Sequence, residues 1–165
     1  IRRQRQMCIR DSARGVEFKN EVMGELIRFV SSHEFGHTIG LPHNMGSSSA
    51  YPVDSLRSAT FTKKYGTAPS IMDYARFNYV AQPGDDGVAL MPSDWGTPNV
   101  GVYDIYAVKW GYKPILDASE DEEKEILRSW IREKEDDLMF RFGPSGGIDP
   151  SAQTEDLGDN AVKAS

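Results

Sequence analysis

From Glu17 to about Gly40 the apolar residues Phe18, Val22, Leu26, Ile27, Val30 and Phe35 recur mostly at three- and four-residue steps, with Glu17, Glu21 and Glu25 on the other side. That is the period of an amphipathic helix. Gly40, which can turn left-handed, and Pro42, which cannot continue a helix, end it. Asn44 to Pro52 is predicted to be a Gly/Ser-rich loop. Asp54 is predicted to cap a short helix through Tyr65 that stops at Gly66, and Thr67 to Pro69 lead into a compact apolar turn at Ser70 to Tyr74. Pro83 to Pro98, rich in Pro, Gly and Asp, reads as loop. Tyr103, Tyr106, Ala107 and Trp110 fall on one face of a helix that ends at Gly111, and their spacing marks them as core. Ser119 and Glu122 form a capping-box start for a long charged helix to about Phe140, with Ile126, Leu127, Trp130, Ile131 and Leu138 as its buried stripe. The tail from Gly143 is turn-rich. Alternating patterns are nearly absent, with Pro52-Val53 and Val88 to Leu90 as the weak strand candidates. The predicted fold class is mainly α with long loops.

Composition narrows the partners. The 165 residues, 39% apolar and 27% charged, suit about one globular domain. No apolar run approaches the roughly 18 residues of a membrane span; Val22 to Val30 is broken by Gly24, Glu25 and Arg28. The net charge of -6 and a pI near 5.1 argue against nucleic acid, whose binders present clustered basic faces. That charge is unevenly spread. Residues 1–12 hold four Arg and one Asp, whereas 13–165 hold 15 basic against 24 acidic residues. The segment 1–12 resembles translated sequencing-adapter sequence and is set aside from fold reasoning. The single Cys, Cys8, lies in it and excludes a multi-thiolate metal site. Any metal must be held by His and carboxylates. A cysteine-free remainder is compatible with an exported protein.

All three histidines fall within eleven residues, in the run HEFGHTIGLPH from His33 to His43. On a helix, residues four apart lie about 400° round and about 6 Å along, so His33 and His37 point the same way and can chelate one ion. Glu34 sits about 100° further round, where its carboxylate reaches water at the metal without ligating it, the place of a general base. Gly40 permits the turn that returns His43 to the same ion as third nitrogen ligand. Three ligands leave a position open, as in a catalytic zinc site. A core role suits one lone histidine better than it suits this set.

HEFGHTIGLPHN resembles the zinc signature of the metzincin metalloendopeptidases, and Ser70-Ile71-Met72-Asp73-Tyr74 is similar to their Met-turn. The wider run, including LPHNMGSS, PSIMDYARFNYVAQPGD and YDIYAVKWGY, looks most like the large zinc-dependent metalloproteases typical of Bacteroidota, and the likeness covers most of 13–165. The resemblance implies a Zn2+ cofactor, a peptide or protein substrate, and an extracellular or cell-envelope location. It makes Met72 a hydrophobic floor beneath the metal. It makes Tyr74 a weak fifth ligand or a donor to the transition-state oxyanion. Asn44 can brace the turn and is given no part in chemistry. In metzincins a twisted sheet precedes the active-site helix, whereas about 20 residues of helical pattern precede His33 here. The resemblance therefore implies that 13–165 is part of an α/β catalytic domain truncated at both ends, with the upstream β-sheet missing. On that view the isolated chain binds zinc weakly and has little activity, the parent protein being the enzyme.

Other readings stay open at this level. A gluzincin takes its third ligand from a downstream Glu, which Gly40 and His43 oppose; an inert zinc-binding scaffold fragment is opposed by Glu34 and the open position. A zinc hydrolase of another bond type has the same signature. The acidic run Glu120 to Glu125 reads as a solvated helix N-terminus, and Asp85-Asp86-Gly87 as a turn.

Overall fold

A computed structural model describes residues 20–85, 88 and 100–165. The expectations for residues 1–12, for Glu17 and Phe18, for Asp86-Gly87 and for most of the 83–98 loop lie outside these. Of the Val88 to Leu90 strand candidate only Val88 is described, buried but in no strand.

Helix α1 spans Asn20–Thr38 and closes in a Schellman motif: Leu41 N–H donates to Gly36 O at 3.0 Å and Gly40 N–H to His37 O at 3.0 Å, with Gly40 at φ +84°. Its inward face is not the apolar stripe of the sequence. Leu26, Phe29, His33 and Gly36 turn inward, while Ile27, Val30 and Phe35 are exposed, Phe35 at 63%. A polar residue and a glycine thus share the packing face with Leu26 and Phe29.

The helix expected from Asp54 to Tyr65 is two helices, α2 (Val53–Leu56) and α3 (Ala59–Tyr65). Ser58 separates them because its backbone is extended and its side chain accepts from Phe61 N–H, starting a new helix. Asp54 lies inside the first turn of α2 and pairs with Lys163 at 2.8 Å. Gly66, at φ +71°, stops α3 as expected.

Helix α4 (Val102–Tyr112) runs through Gly111 rather than ending at it. Helix α5 (Glu120–Arg132) starts on the Ser119–Glu122 capping box but stops well short of Phe140, which falls in a separate single turn, Leu138–Phe140. Its expected buried stripe is only half covered: Ile126, Leu127 and Trp130 are half-buried, and Ile131 and Leu138 are exposed. Likewise Tyr103, Tyr106 and Trp110 are not core. With Ile131 and Leu138 they line an apolar groove of about 840 Å³ beside the 39–42 turn. A short α6 (Ala161–Ala164), capped by Asn160, ends the chain.

The core lies between loops more than between helices. One cluster gathers Tyr51, Val53, Leu56, Ala68, Ala75, Val80, Leu157 and Ala164; a smaller one, Leu41, Ile71 and Met72, sits under the end of α1. The Gly/Ser-rich loop is itself buried over residues 44–48. Such a burial requires partners for its backbone. Asn44 N–H donates to Met72 O, Gly46 N–H to Gly143 O at 3.1 Å, and Ser48 N–H to Asp73 Oδ2 at 2.6 Å. No strand occurs among the described residues, and no helix among them is long and apolar enough to cross a membrane.

The start of α4 seats directly on the 69–70 backbone: Tyr103 N–H donates to Pro69 O at 3.1 Å, and a Cβ at Gly101 would stand 1.7 Å from that same oxygen. Gly101→Ala must therefore push α4 away, and the expected outcome is a loss of about 3 kcal/mol of unfolding free energy in urea denaturation. An unchanged midpoint would show that the contact is not tight.

Candidate metal centre

His33 and His37 lie one turn apart near the end of α1, and the Schellman turn at Gly40 brings His43 back beneath them. One ring nitrogen from each of the three lies within 4.8 Å of the others. His37 Nε2 and His43 Nε2 are 3.1 Å apart. Two nitrogens bound tetrahedrally at usual Zn–N lengths stand about 3.3 Å apart, so the His37–His43 spacing suits a zinc-sized ion, with His33 completing the set within 4.8 Å.

The opposite ring nitrogens are committed. His33 Nδ1 lies 2.7 Å from Ile71 O and His37 Nδ1 lies 2.9 Å from Leu41 O. A carbonyl only accepts, so both Nδ1 atoms carry a proton, and in a neutral ring of this tautomer Nε2 presents the lone pair. His33 is 4% exposed, and its Nε2 is buried with no hydrogen-bond partner among the described residues. A buried orphan of this kind asks for a ligand. Burial, above all, lowers the pKa of His33, with the neighbouring His37 and His43 adding to it. His43 is lowered chiefly by desolvation and then by His37. Both are thus held in the neutral form that binds metal.

Glu34 is exposed, and its charge works on both His33 and His43. Tyr74, half-buried, places its hydroxyl 3.1 Å from His43 Nε2, with its ring centroid 5.0 Å from that of His43. Met72 is 0% exposed and lies against α1 at Gly36, where a Cβ would come 2.4 Å from the Met72 sulfur. All six residues singled out in the sequence thus gather at one place.

Three supports stand behind the site, and sequence reasoning missed two of them, Gly36 and Asp104. Gly36 had a signal, since it stands between the two helical histidines, where only a residue without Cβ lets Met72 approach. Asn44, expected to brace, does so through its side chain: Nδ2 donates to Arg141 O at 3.0 Å and Oδ1 accepts from Gly143 N–H at 2.8 Å. The third is Asp104. It is 2% exposed, and its carboxylate accepts from Ser70 Oγ at 2.6 Å, Ile71 N–H at 2.9 Å and Gly101 N–H at 2.9 Å. Its position three residues past the helix-capping Gly101 was a capping signal. Its partners in the 70–71 turn were not legible.

A family model described as Met-zincin matches residues 15–165. No curated protein and no solved structure matches the chain significantly.

Burial pushes the Asp104 carboxyl from the ordinary 3.8 up to about 6, the bonds from Ser70, Ile71 and Gly101 partly opposing it. Between those two values the folded chain keeps a proton that the unfolded chain has lost, so stability falls as pH rises through this window. Two units correspond to about 3 kcal/mol. Wild-type stability is accordingly expected to decline relative to Asp104→Asn by up to about that amount between pH 4 and pH 7, read from urea denaturation at each pH. Parallel pH profiles for the two chains would contradict the assignment.

Proposed function

We propose that this chain, which belongs to the Met-zincin family, is the catalytic segment of a zinc-dependent metalloendopeptidase acting on peptide or protein substrates. The observation that carries the reading is the convergence of three histidine nitrogens within 4.8 Å, one of them buried and unpartnered. Three imidazoles and no thiolate form a donor set suited to catalytic zinc. When bound, zinc supplies Lewis-acid polarisation of the scissile carbonyl and brings the pKa of water near neutrality.

The chain's own residues do the rest in this reading. His33, His37 and His43 hold the ion through lone pairs whose direction is fixed for the first two by the Ile71 and Leu41 carbonyls. Glu34 accepts the proton of the attacking water and returns it to the leaving amine. Its exposure on the outer side of α1 leaves it accessible to both. The Tyr74 hydroxyl shares His43 Nε2 with the ion as a potential partner; with that nitrogen engaged, the phenol is available to the developing oxyanion. Met72 closes the floor of the site and keeps the ligand-bearing turns in register.

In the natural protein carrying this segment, Glu34→Gln is expected to lower peptide hydrolysis by about 10²- to 10⁴-fold while leaving zinc content near one equivalent. His43→Ala is expected to remove zinc and hydrolysis together. Hydrolysis undiminished by Glu34→Gln, measured with zinc content on the same samples, would overturn the general-base assignment.

A further inference from the structure

We propose that Asp104 is a positioning residue for His33, acting on it through the Ser70 hydroxyl and the Ile71–Met72 peptide group. The inference rests on the reading of the three histidines as metal ligands.

The path is a continuous series of hydrogen bonds. Asp104 Oδ1 accepts from Ser70 O–H at 2.6 Å. Ser70 Oγ in turn accepts from Met72 N–H at 3.0 Å. That N–H belongs to the same peptide group as Ile71 C=O, which accepts from His33 Nδ1–H at 2.7 Å. Each donor along the line is also an acceptor, so the carboxylate polarises every bond in the same sense. The last effect falls on the imidazole. A more basic Ile71 oxygen pulls on Nδ1–H, which raises the electron density of the Nε2 lone pair facing the other histidines. A carboxylate hydrogen-bonded to a ligating histidine does this directly in many metal sites; here a serine and a peptide group are interposed.

The arrangement separates this effect from simple bracing. Asp104 Oδ2 holds Ile71 N–H and Gly101 N–H, which tie the turn to α4, while Oδ1 alone feeds the relay. Ser70 is 2% exposed, so water does not compete for its hydroxyl. Ser70→Ala cuts the relay and leaves both Oδ2 bonds in place. Asp104→Asn is nearly isosteric, keeps an oxygen for the two backbone donors, and presents Ser70 with an uncharged N–H instead of an acceptor. Both variants therefore spare the brace.

The test uses the whole chain and zinc itself. Ser70→Ala and Asp104→Asn are each expected to weaken zinc binding by about tenfold in competition with a chelating dye. In the metal-free chain, both are expected to move the His33 Nδ1–H proton resonance upfield, as its hydrogen bond weakens. Leu56→Ala, in the other core cluster, is expected to lower stability while changing neither readout. Asp104→Asn at pH 7 is expected to bind zinc more weakly while being no less stable than wild type, a combination that a purely structural role does not give. Folded Ser70→Ala and Asp104→Asn chains with wild-type zinc affinity and an unmoved His33 resonance would overturn the proposal. Should Ser70→Ala not fold, the near-isosteric Asp104→Asn decides alone on both readouts. Zinc binding that survives His37→Ala would sink the three-histidine reading instead; the His33 resonance, read without metal, still decides the relay.

Discussion

The structure depends on the approach of the last turns of α1 to the 70–74 turn. At Gly36 the helix backbone comes so near that a single added carbon would stand 2.4 Å from the Met72 sulfur, and one turn earlier His33 donates to the Ile71 carbonyl. Phe29, 4% exposed, and the half-buried Leu26 add apolar burial on the same face. Of its other described apolar side chains, Met23, Ile27, Val30 and Phe35 are exposed, so the apolar stripe that α1 buries is narrow. The rotation is sharpened by a glycine that permits contact and a histidine that requires a buried acceptor. The same contact that docks the helix also aims His33, the first of the proposed ligands, so packing and the geometry of the histidine cluster are one constraint.

The 70–74 turn can bear that role because it is held from every side by polar bonds. Asn44 N–H takes the Met72 carbonyl, Ser48 N–H takes the Asp73 carboxylate, and Asp104 takes the Ser70 hydroxyl and the Ile71 amide. Loops packed this deeply cannot satisfy their backbone with water, so side chains must supply the partners. The cost is visible in the carboxyl groups. Asp73 is pushed well above its ordinary pKa by burial, with Asp156 nearby adding to it, and Asp104 is raised as well. A core made of leucines and valines would be more stable, but it would not dictate where each carbonyl of the turn points. Hydrophobic contacts are non-directional; the metal site needs direction.

What the sequence made legible was whatever is local. The ligand spacing of His33, His37 and His43 is set by helical repeat and one glycine turn, and the Ser119 capping box and the Gly66 stop are decided within four residues of themselves. What failed depended on distant partners. Ile131 and Leu138 sit on a helical stripe by period, yet little packs against them among the described residues, so period alone promised a burial that tertiary structure did not deliver. The single helix expected from Asp54 broke because Ser58 is a better cap than a helix-interior residue. Asp104 carried only its capping signal, since its other two donors lie more than thirty residues earlier in the chain.

These two levels divide the work of building the site. Local sequence brings three imidazoles to one point, but an imidazole at the right distance still has two tautomers and a free ring rotation. Those are removed from outside: Ile71 and Leu41 carbonyls fix the Nδ1–H tautomer of two rings, and burial disfavours the charged form of His33. The ordering cost of the ligands is thereby met during folding rather than at the moment of binding. On the proposed reading, a site prepared this way loses little conformational entropy when an ion enters, and its affinity depends on the chain of bonds behind the ligands as well as on the ligands themselves. Distortion of the 70–74 turn therefore reaches the metal centre without altering any of the three histidines.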